Sequence, residues 1–258
     1  LVSDEVKINC EVEYLQVKVD AQASGKGINF IHAVQQAGGT AMVLQVAGGV
    51  TGEWVVADLE RRGLAHATVP VAGATRVCNT LLCRATGQMT ELIEPSAEVG
   101  PGEMARLEER LAALIPTVAG LALCGTFPPG VTPAFYAAAA GAARARGVPV
   151  LLDGFRGVVP TLEAGVDILK INVRELASLA GDLAEPAAAA AAILQRFPKV
   201  DRLAVTAGAR TAFLFDRGGT WTFQLPVLPA VVNPIGAGDT AAGALLAHGI
   251  ALEPPVGV

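Results

Sequence analysis

The chain has 258 residues, a mass of 26.3 kDa and a hydrophobic content of 52%, enough for one large domain, with or without a small accessory piece. Its formal net charge of -5 gives no electrostatic basis for binding nucleic acid or an anionic membrane. No apolar run approaches the roughly 18 residues that a membrane-spanning helix needs. We therefore expect neither a nucleic-acid partner nor a membrane partner.

The cysteines and histidines are too dispersed to predict a zinc site. The four cysteines show no Cys-x-x-Cys spacing, and the three histidines are scattered along the chain. Free thiols in a reducing cytoplasm are then the default expectation. The residues concerned are Cys10, Cys78, Cys83, Cys124, His32, His66 and His248.

Two segments have the alternating apolar and polar pattern of half-exposed strands. The first covers residues 6–20, and the second is a hairpin with arms at Arg76–Cys83 and Met89–Glu94 around a turn at Ala85–Gln88. We expect these strands to form a small separate sheet at one edge of the molecule.

The rest of the chain alternates short apolar strands with alanine-rich helices. This alternation predicts an α/β fold of three layers, in which a doubly wound, mainly parallel sheet is covered by helices on both faces. The expected strands are Ala41–Val46, Leu121–Cys124, Val148–Asp153, Val166–Ile171, Leu203–Thr206, Thr211–Phe215 and Trp221–Leu225, and the expected helices are Phe30–Gln36, Glu53–Arg62, Phe135–Arg146, a helix from Arg174 and one around Ala187–Leu194.

Near the end of the sequence, an apolar strand at Val231–Ile235 is predicted to break at Pro234 and to continue into a helix that opens with Gly236, Ala237, Gly238 and Asp239. Backbone N–H groups at a helix start can hold a developing anion, and glycines let a phosphate come close to the main chain. A carboxylate beside them can accept a proton. The alternative is a tight strand-to-helix turn in which Asp239 caps the helix.

Polar residues at other predicted strand ends could join such a site, since ligands of open parallel sheets bind at the carboxyl ends of the strands. In the segment Ser24–Asn29, Lys26 could meet an anionic substrate and Asn29 could bind hydroxyl groups. Taken alone, this segment is better interpreted as a glycine turn with a solvated lysine.

Two later strand ends suit a nucleotide. Asn172 could lie near its phosphates and Glu175 near magnesium, through water, although the same pair also has the spacing of a helix capping box. In the next strand, Thr206 and Gly208 belong to a small-residue turn that suits close phosphate contact or forms an ordinary turn.

Two further features concern the loop Cys124–Gly130 and the hairpin. The loop is stiffened by Pro128 and Pro129, which could simply set the start of the next helix. Arg76 could reach across a cleft and bind a phosphate through two hydrogen bonds, or could be an ordinary surface arginine.

Together and in this order, these segments resemble the ribokinase-like (pfkB) family of carbohydrate kinases. The resemblance spans almost the whole chain and rests on Gly25–Asn29, Gly125–Gly130, Lys170–Glu175 and Gly236–Asp239. A finer similarity, to the branch of tagatose-6-phosphate kinase and 1-phosphofructokinase, rests on Thr75–Cys78, Thr90–Glu94 and Asn233–Gly236, which look most like tagatose-6-phosphate kinase.

The resemblance implies transfer of the γ-phosphate of ATP, with Mg²⁺, to a hydroxyl of tagatose 6-phosphate or fructose 1-phosphate. Asp239 would be the base and the Gly236, Ala237 and Gly238 amides would hold the transferred phosphoryl group. The implied substrate-binding residues are Gly25, Lys26, Gly27, Asn29, Arg76 and Thr126, the nucleotide-binding residues Asn172, Thr206 and Gly208, and the metal-binding residue Glu175.

The resemblance also implies a domain division. Residues 25–72 and 98–258 would form the core, and residues 1–24 and 73–97 a β lid that closes over the sugar and could join two copies in a homodimer. Ser24 stands where the family usually has glycine. The family's first core strand and its final elements are expected to be absent from this sequence rather than from the protein.

Two other functions stay open at this stage. One is a kinase for an unphosphorylated sugar or a nucleoside, and the other is a non-catalytic protein that binds a sugar or a nucleotide. The sequence does not choose between the two ketohexose phosphates, since that choice depends on hydroxyl stereochemistry.

Overall fold

A computed structural model describes residues 21–83, 86, 88–209, 211–227 and 236–249. The strands predicted over residues 6–20 and 231–235, and two of the four residues of the predicted hairpin turn, Ala85 and Gly87, lie outside these residues.

Strands and helices alternate along the described chain. The strands are β1 (Met42–Ala47), β2 (Ala65–Pro70), β3 (Cys78–Leu82), β4 (Met89–Ile93), β5 (Leu121–Cys124), β6 (Val150–Asp153), β7 (Val166–Asn172), β8 (Val200–Ala207), β9 (Thr211–Phe215) and β10 (Thr220–Gln224). The helices are α1 (Lys26–Gln36), α2 (Gly49–Arg61), α3 (Pro101–Leu114), α4 (Pro133–Arg144), α5 (Val159–Ala164), α6 (Val173–Leu179), α7 (Pro186–Arg196) and α8 (Ala237–Gly249), with a short 3₁₀ turn at Ile115–Thr117.

Among the described residues, the central sheet has six strands in the order β10-β9-β8-β7-β6-β5. Neighbouring strands from β5 to β8 are parallel, whereas β9 and β10 add an antiparallel meander at one edge. A parallel pair, β1-β2, and an antiparallel pair, β3-β4, complete the described strands. The mainly parallel α/β sheet predicted from the sequence is therefore confirmed, as are the hairpin and the meander.

Alternate residues of the central strands enter two different cores. On β6, Val150 and Leu152 pack in one core with residues of α4 and α7, while Leu151 packs in the other with residues of α1 and α8. This alternation follows from the two-residue period of a strand. It produces the predicted three layers, with helices on both faces of the sheet.

Helices α1 and α8 lie against each other at a glycine. A Cβ atom on Gly243 would come within 2.7 Å of the Phe30 carbonyl oxygen and 2.8 Å of the Ala33 side chain. Only a residue without a side chain allows this approach. The contact holds together the two helices whose first turns carry Lys26, Asn29 and Asp239.

Several element boundaries differ from the predictions. Helix α1 begins at Lys26 rather than Phe30, and α2 begins at Gly49 rather than Glu53. The apolar periodicity marks only the buried part of each helix, so it misses a first turn that is glycine-rich or polar. Strand β2 and helices α3 and α5 were not predicted.

No helix among the described residues is long and apolar enough to cross a bilayer.

Candidate active site

A buried carboxylate joins two lysines at the carboxyl ends of the central strands. Asp153 ends β6, and its side chain is only 1% exposed. One of its oxygens lies 2.7 Å from Lys26 Nζ and the other lies 3.3 Å from Lys170 Nζ. Asp153 and Lys170 are neighbours across β6 and β7, whereas Lys26 reaches the carboxylate from the start of α1.

Lys26 is therefore not the solvated lysine that its segment alone suggests. Its side chain is about one-third exposed and forms an ion pair with Asp153. Burial lowers the pKa of Lys26, but the hydrogen bond and charge of Asp153 outweigh this effect and leave the pKa above its usual value. The charges of Asp239 and Glu175 act in the same direction. These four side chains thus share one electrostatic environment.

The predicted base, Asp239, lies in the first turn of α8 and accepts a hydrogen bond of 2.9 Å from Asn29 Nδ2. Asn29 Oδ1 in turn accepts a hydrogen bond of 3.3 Å from the Ser24 hydroxyl. The side chain of Asp239 thus binds a residue on another helix, which is more than a helix cap requires. This bond places Asn29 directly beside the candidate base.

The glycines before Asp239 lie close to polar side chains. Gly236 has a φ of 80°, and a Cβ there would come within 3.2 Å of Asn29 Nδ2. A Cβ on Gly238 would come within 2.9 Å of Lys170 Nζ. The backbone at the start of α8 therefore runs directly beside Asn29 and Lys170, as an anion-binding turn supported by a cation would require.

The predicted capping box at the start of α6 is present. Asn172 Oδ1 accepts hydrogen bonds of 3.0 Å from the Arg174 and Glu175 amides, and Glu175 Oε2 accepts one of 2.9 Å from the Asn172 amide. These bonds give both residues a structural role. They do not remove Glu175 from the site, since its charge still raises the pKa of Lys26.

Thr206 and Gly208 lie at the next strand end. Thr206 is paired with Asn172 across β7 and β8, which brings the two predicted nucleotide-binding strand ends side by side. Gly208 has a φ of 77°, and no atom of the described residues lies within 4 Å of the position that a Cβ would take. Within the part of the chain that the structure describes, the space beside this strand end is therefore open.

Arg76 and Thr126 are exposed, and no described contact joins either of them to the Asp153 cluster. Arg76 lies just before β3 rather than within the hairpin. The segment before it is held by Gly48. The Gly48 amide donates to Thr75 Oγ1 at 3.1 Å, and the Gly48 carbonyl accepts from the Thr75 amide at 2.8 Å. Thr51 Oγ1 also donates to the Thr75 carbonyl at 2.6 Å.

The loop after β5 is fixed to the segment that follows the hairpin. The Val99 amide donates a hydrogen bond of 2.8 Å to the Pro129 carbonyl. A Cβ on Gly130, whose φ is 87°, would come within 2.0 Å of the Val99 carbonyl oxygen. This contact connects the loop that carries Thr126 to the end of the β3-β4 segment.

Asp153 was not predicted as a site residue from the sequence, and Lys170 was predicted only as part of the Lys170–Glu175 motif, with no role of its own. Their signal was present, because Asp153 is the polar end of a buried apolar strand and Lys170 interrupts another. The Gly48–Gly49 pair directly after β1 is a similar signal for the contact that holds Thr75. Cys124 lies near the same site. Desolvation and the charge of Asp153 raise the pKa of its thiol, which keeps the thiol protonated and unreactive.

Comparison with known proteins agrees with this geometry. Residues 1–254 match the model of the pfkB family carbohydrate kinases. The structure is similar to phosphofructokinase-2 from Escherichia coli in complex with fructose-6-phosphate, at a TM-score of 0.77 and 27% identity over 89% of this chain and 76% of that one.

A possible 1-phosphofructokinase from Thermotoga maritima shares the fold at a TM-score of 0.82 and 20% identity, over 99% of this chain and 82% of that one. The family resemblance and the ribokinase-like fold expected from the sequence are thereby confirmed. The family model covers nearly the whole chain, and the chain therefore belongs to the pfkB family of carbohydrate kinases.

Proposed function

We propose that the protein is an ATP-dependent phosphosugar kinase that acts on a ketohexose phosphate. One observation carries this proposal: the carboxylate of Asp239 is held by Asn29 at the start of a helix, beside the cluster of Asp153, Lys26 and Lys170. A base, a helix start and two cations are what phosphoryl transfer to a hydroxyl requires.

In the proposed reaction, Asp239 accepts the proton of a sugar hydroxyl while that oxygen attacks the γ-phosphorus of ATP. The bond between the γ-phosphorus and the bridging oxygen breaks, and ADP leaves. The Asn29 amide group fixes one oxygen of the Asp239 carboxylate, so the other can face the substrate. The backbone amides of Gly236, Ala237 and Gly238 stabilise the charge on the transferred phosphoryl group.

We assign the nucleotide side to the strand ends of β7 and β8, with Asn172, Thr206 and Gly208 near the phosphates. Among the described residues, no three His, Cys, Asp or Glu side chains gather as a metal site. A single carboxylate, Glu175, suits Mg²⁺, which takes most of its ligands from substrate phosphates and water. The ion would neutralise charge on the phosphate oxygens.

The substrate side rests on Lys26, Arg76, Gly25, Gly27 and Asn29, with Thr126 on the neighbouring loop. Lys26 and Arg76 would bind the phosphate that the sugar already carries. The similar phosphofructokinase-2 was solved with fructose-6-phosphate, which supports a phosphorylated ketohexose here. From the sequence motifs, we propose tagatose 6-phosphate or fructose 1-phosphate. Because the proposed reaction consumes ATP, we propose that the protein acts in the cytoplasm.

We assign the β3-β4 pair to a lid, with residues 73–97 separate from the core. The pair exposes apolar side chains, of which Leu81, Leu92 and Ile93 are each more than half exposed. Such a surface is suited to covering a sugar and to packing against the same surface of a second copy. Sedimentation of the wild-type chain and of Leu92→Glu would test this homodimer, since the variant should sediment as a monomer.

The proposed reaction is tested by ADP release with a panel of sugars and sugar phosphates. Asp239→Asn should lower kcat by at least about 100-fold, because an amide cannot act as the base. Asp216→Asn is the matched control, since this carboxylate follows β9 near the amino-terminal end of β8, away from the site, and accepts hydrogen bonds from Gly218 and Gly219. Ordinary turnover by Asp239→Asn would refute the assigned base.

A further inference from the structure

Asp153 has an unusual position in the site because it is buried and contacts two cations at once. Its side chain is 1% exposed, so it has almost no surface with which to touch a substrate. Its two oxygens each bind a different ammonium group, Lys26 at 2.7 Å and Lys170 at 3.3 Å. The three groups together carry one net positive charge.

The two lysines reach the site from different elements. Lys26 begins α1, whereas Lys170 comes from the buried strand β7 and is 5% exposed. Two neighbouring ammonium groups repel each other, and a buried charge is costly unless it is paired. Asp153 lies between the two ammonium groups, bonded to both, and therefore offsets their repulsion at short distance.

Lys170 also lies against the candidate anion-binding turn. A Cβ on Gly238 would be 2.9 Å from Lys170 Nζ, so the ammonium group contacts the backbone at the start of α8. Its distance from that backbone is fixed on the other side by Asp153. The carboxylate thus determines where both positive charges stand relative to Gly238 and Asp239.

We infer that Asp153 is a positioning residue for phosphoryl transfer, whose two oxygens hold Lys26 towards the sugar phosphate and Lys170 beside the Gly236–Gly238 turn. This inference rests on the proposed kinase function. It differs from a purely structural role, in which the ion pairs would stabilise the fold and removing them would change stability without a specific effect on catalysis.

The test is a double-mutant cycle with Asp153→Asn and Lys26→Met, measured as kcat/KM for the sugar phosphate. In the wild-type chain, Asp153→Asn should lower kcat/KM about 30-fold, which corresponds to the loss of one hydrogen bond between charged groups. In the Lys26→Met background the same change should lower kcat/KM only about fivefold, because the effect through Lys26 is gone and only the effect through Lys170 remains. If Asp153→Asn lowers kcat/KM by the same factor with and without Lys26, the two residues act independently and the inference is overturned. A folded Asp153→Asn chain that is as active as wild type would also overturn it.

Asp167→Asn is the matched control. Asp167 lies on the same strand as Lys170 but at its opposite end, where its carboxylate accepts a hydrogen bond of 2.7 Å from the Val150 amide and pairs with Arg144. Its replacement should lower the unfolding temperature and leave kcat/KM unchanged. An equal fall in kcat/KM for both variants would mean that Asp153 acts only through stability.

If Asp153→Asn does not fold, the pair Asp153→Asn/Lys170→Met keeps the net charge of the cluster and is compared with Lys170→Met alone. The paired variant should have a kcat/KM at least about fivefold lower, because Lys26 is no longer held. Equal values would overturn the inference. A wild-type chain that phosphorylates no sugar phosphate would instead refute the proposed function, so the two failures are distinguishable.

Discussion

The contact between Gly48 and Thr75 leads to a prediction about Gly48→Ala. Gly48 has an extended backbone with a φ of -156°, so alanine introduces no dihedral strain. Its Cβ, however, would lie 2.0 Å from the Val71 carbonyl oxygen and 2.3 Å from that of Gly73. Both are backbone atoms, which cannot move aside as a flexible side chain could. The chain must therefore separate at this point.

The separation would break the hydrogen bonds that fix Thr75. Two of them join Gly48 and Thr75, at 3.1 and 2.8 Å, and a third, of 2.6 Å, joins Thr51 to the Thr75 carbonyl. At roughly 0.5–1.5 kcal/mol for each of the three bonds, the loss in the free energy of unfolding is about 1.5–4.5 kcal/mol. For a chain of this size, that corresponds to a fall in melting temperature of about 3–18 °C.

Gly48→Ala should also raise KM for the sugar phosphate. Arg76 follows Thr75 directly, so its position is no longer fixed when the hydrogen bonds of Thr75 are broken. The assay combines thermal unfolding with ADP release at varied substrate concentration. Gly141→Ala is the control with the opposite sign. Gly141 lies within α4, and no described atom lies within 4 Å of the position its Cβ would take, so alanine should stabilise the helix by about 0.5–1 kcal/mol. Gly48→Ala with wild-type stability and KM would refute the reasoning.

Three further predictions concern the substrate, the fold and the metal. Arg76→Ala should raise KM about 10- to 100-fold for a phosphorylated sugar and leave KM for a neutral sugar unchanged. Arg110→Ala is the surface control. If a neutral sugar is the preferred substrate, the alternative kinase function is favoured. Burial raises the pKa of Asp58, but the Ala23 amide, Arg61 and Arg62 outweigh this and hold it below its usual value. The stabilisation of the fold by the Asp58 carboxylate is therefore complete above the unfolded pKa of about 3.9, and it is lost as the pH falls through the lower folded pKa. Asp58→Asn should lower the free energy of unfolding by about 1–3 kcal/mol at neutral pH and by less in acid. Denaturant titrations at several pH values would measure this difference. Chelation of Mg²⁺ should abolish ADP release and added Mg²⁺ should restore it, whereas turnover in excess chelator would exclude the assigned role of Glu175.

The sequence predicted best those parts of the fold in which one local pattern decides the structure. Strand β5 was predicted with its observed limits, and the capping box of Asn172 and Glu175 forms as its spacing indicates. Strand β2 was missed because its sequence, Ala-His-Ala-Thr-Val-Pro, is only partly apolar. The first turn of α1 was missed because Lys26 and Gly27 do not have the apolar periodicity that marks the rest of the helix.

The site could be predicted only as separate pieces. The residues of the Gly25–Asn29 and Gly236–Asp239 motifs were named, and the structure joins them through the bond between Asn29 and Asp239. The partner of Lys26 could not be read in the same way, because Asp153 is 127 positions away and belongs to no motif that was identified. Such a pair is set by the order of strands in the sheet, which local sequence patterns do not encode.

Lys26 shows how a local conflict can mark a functional position. A cation at the first position of a helix is unfavourable, since the N-terminus already carries a partial positive charge. No side chain of the described residues caps α1, and its first turn contains no acidic residue. The charge is stabilised instead by Asp153 on another element, at the expense of burying that carboxylate. Stability alone would favour an acidic or neutral residue at the first position of the helix. A lysine with a buried partner is better explained by a need for positive charge at the mouth of the site, where an anionic substrate would meet it.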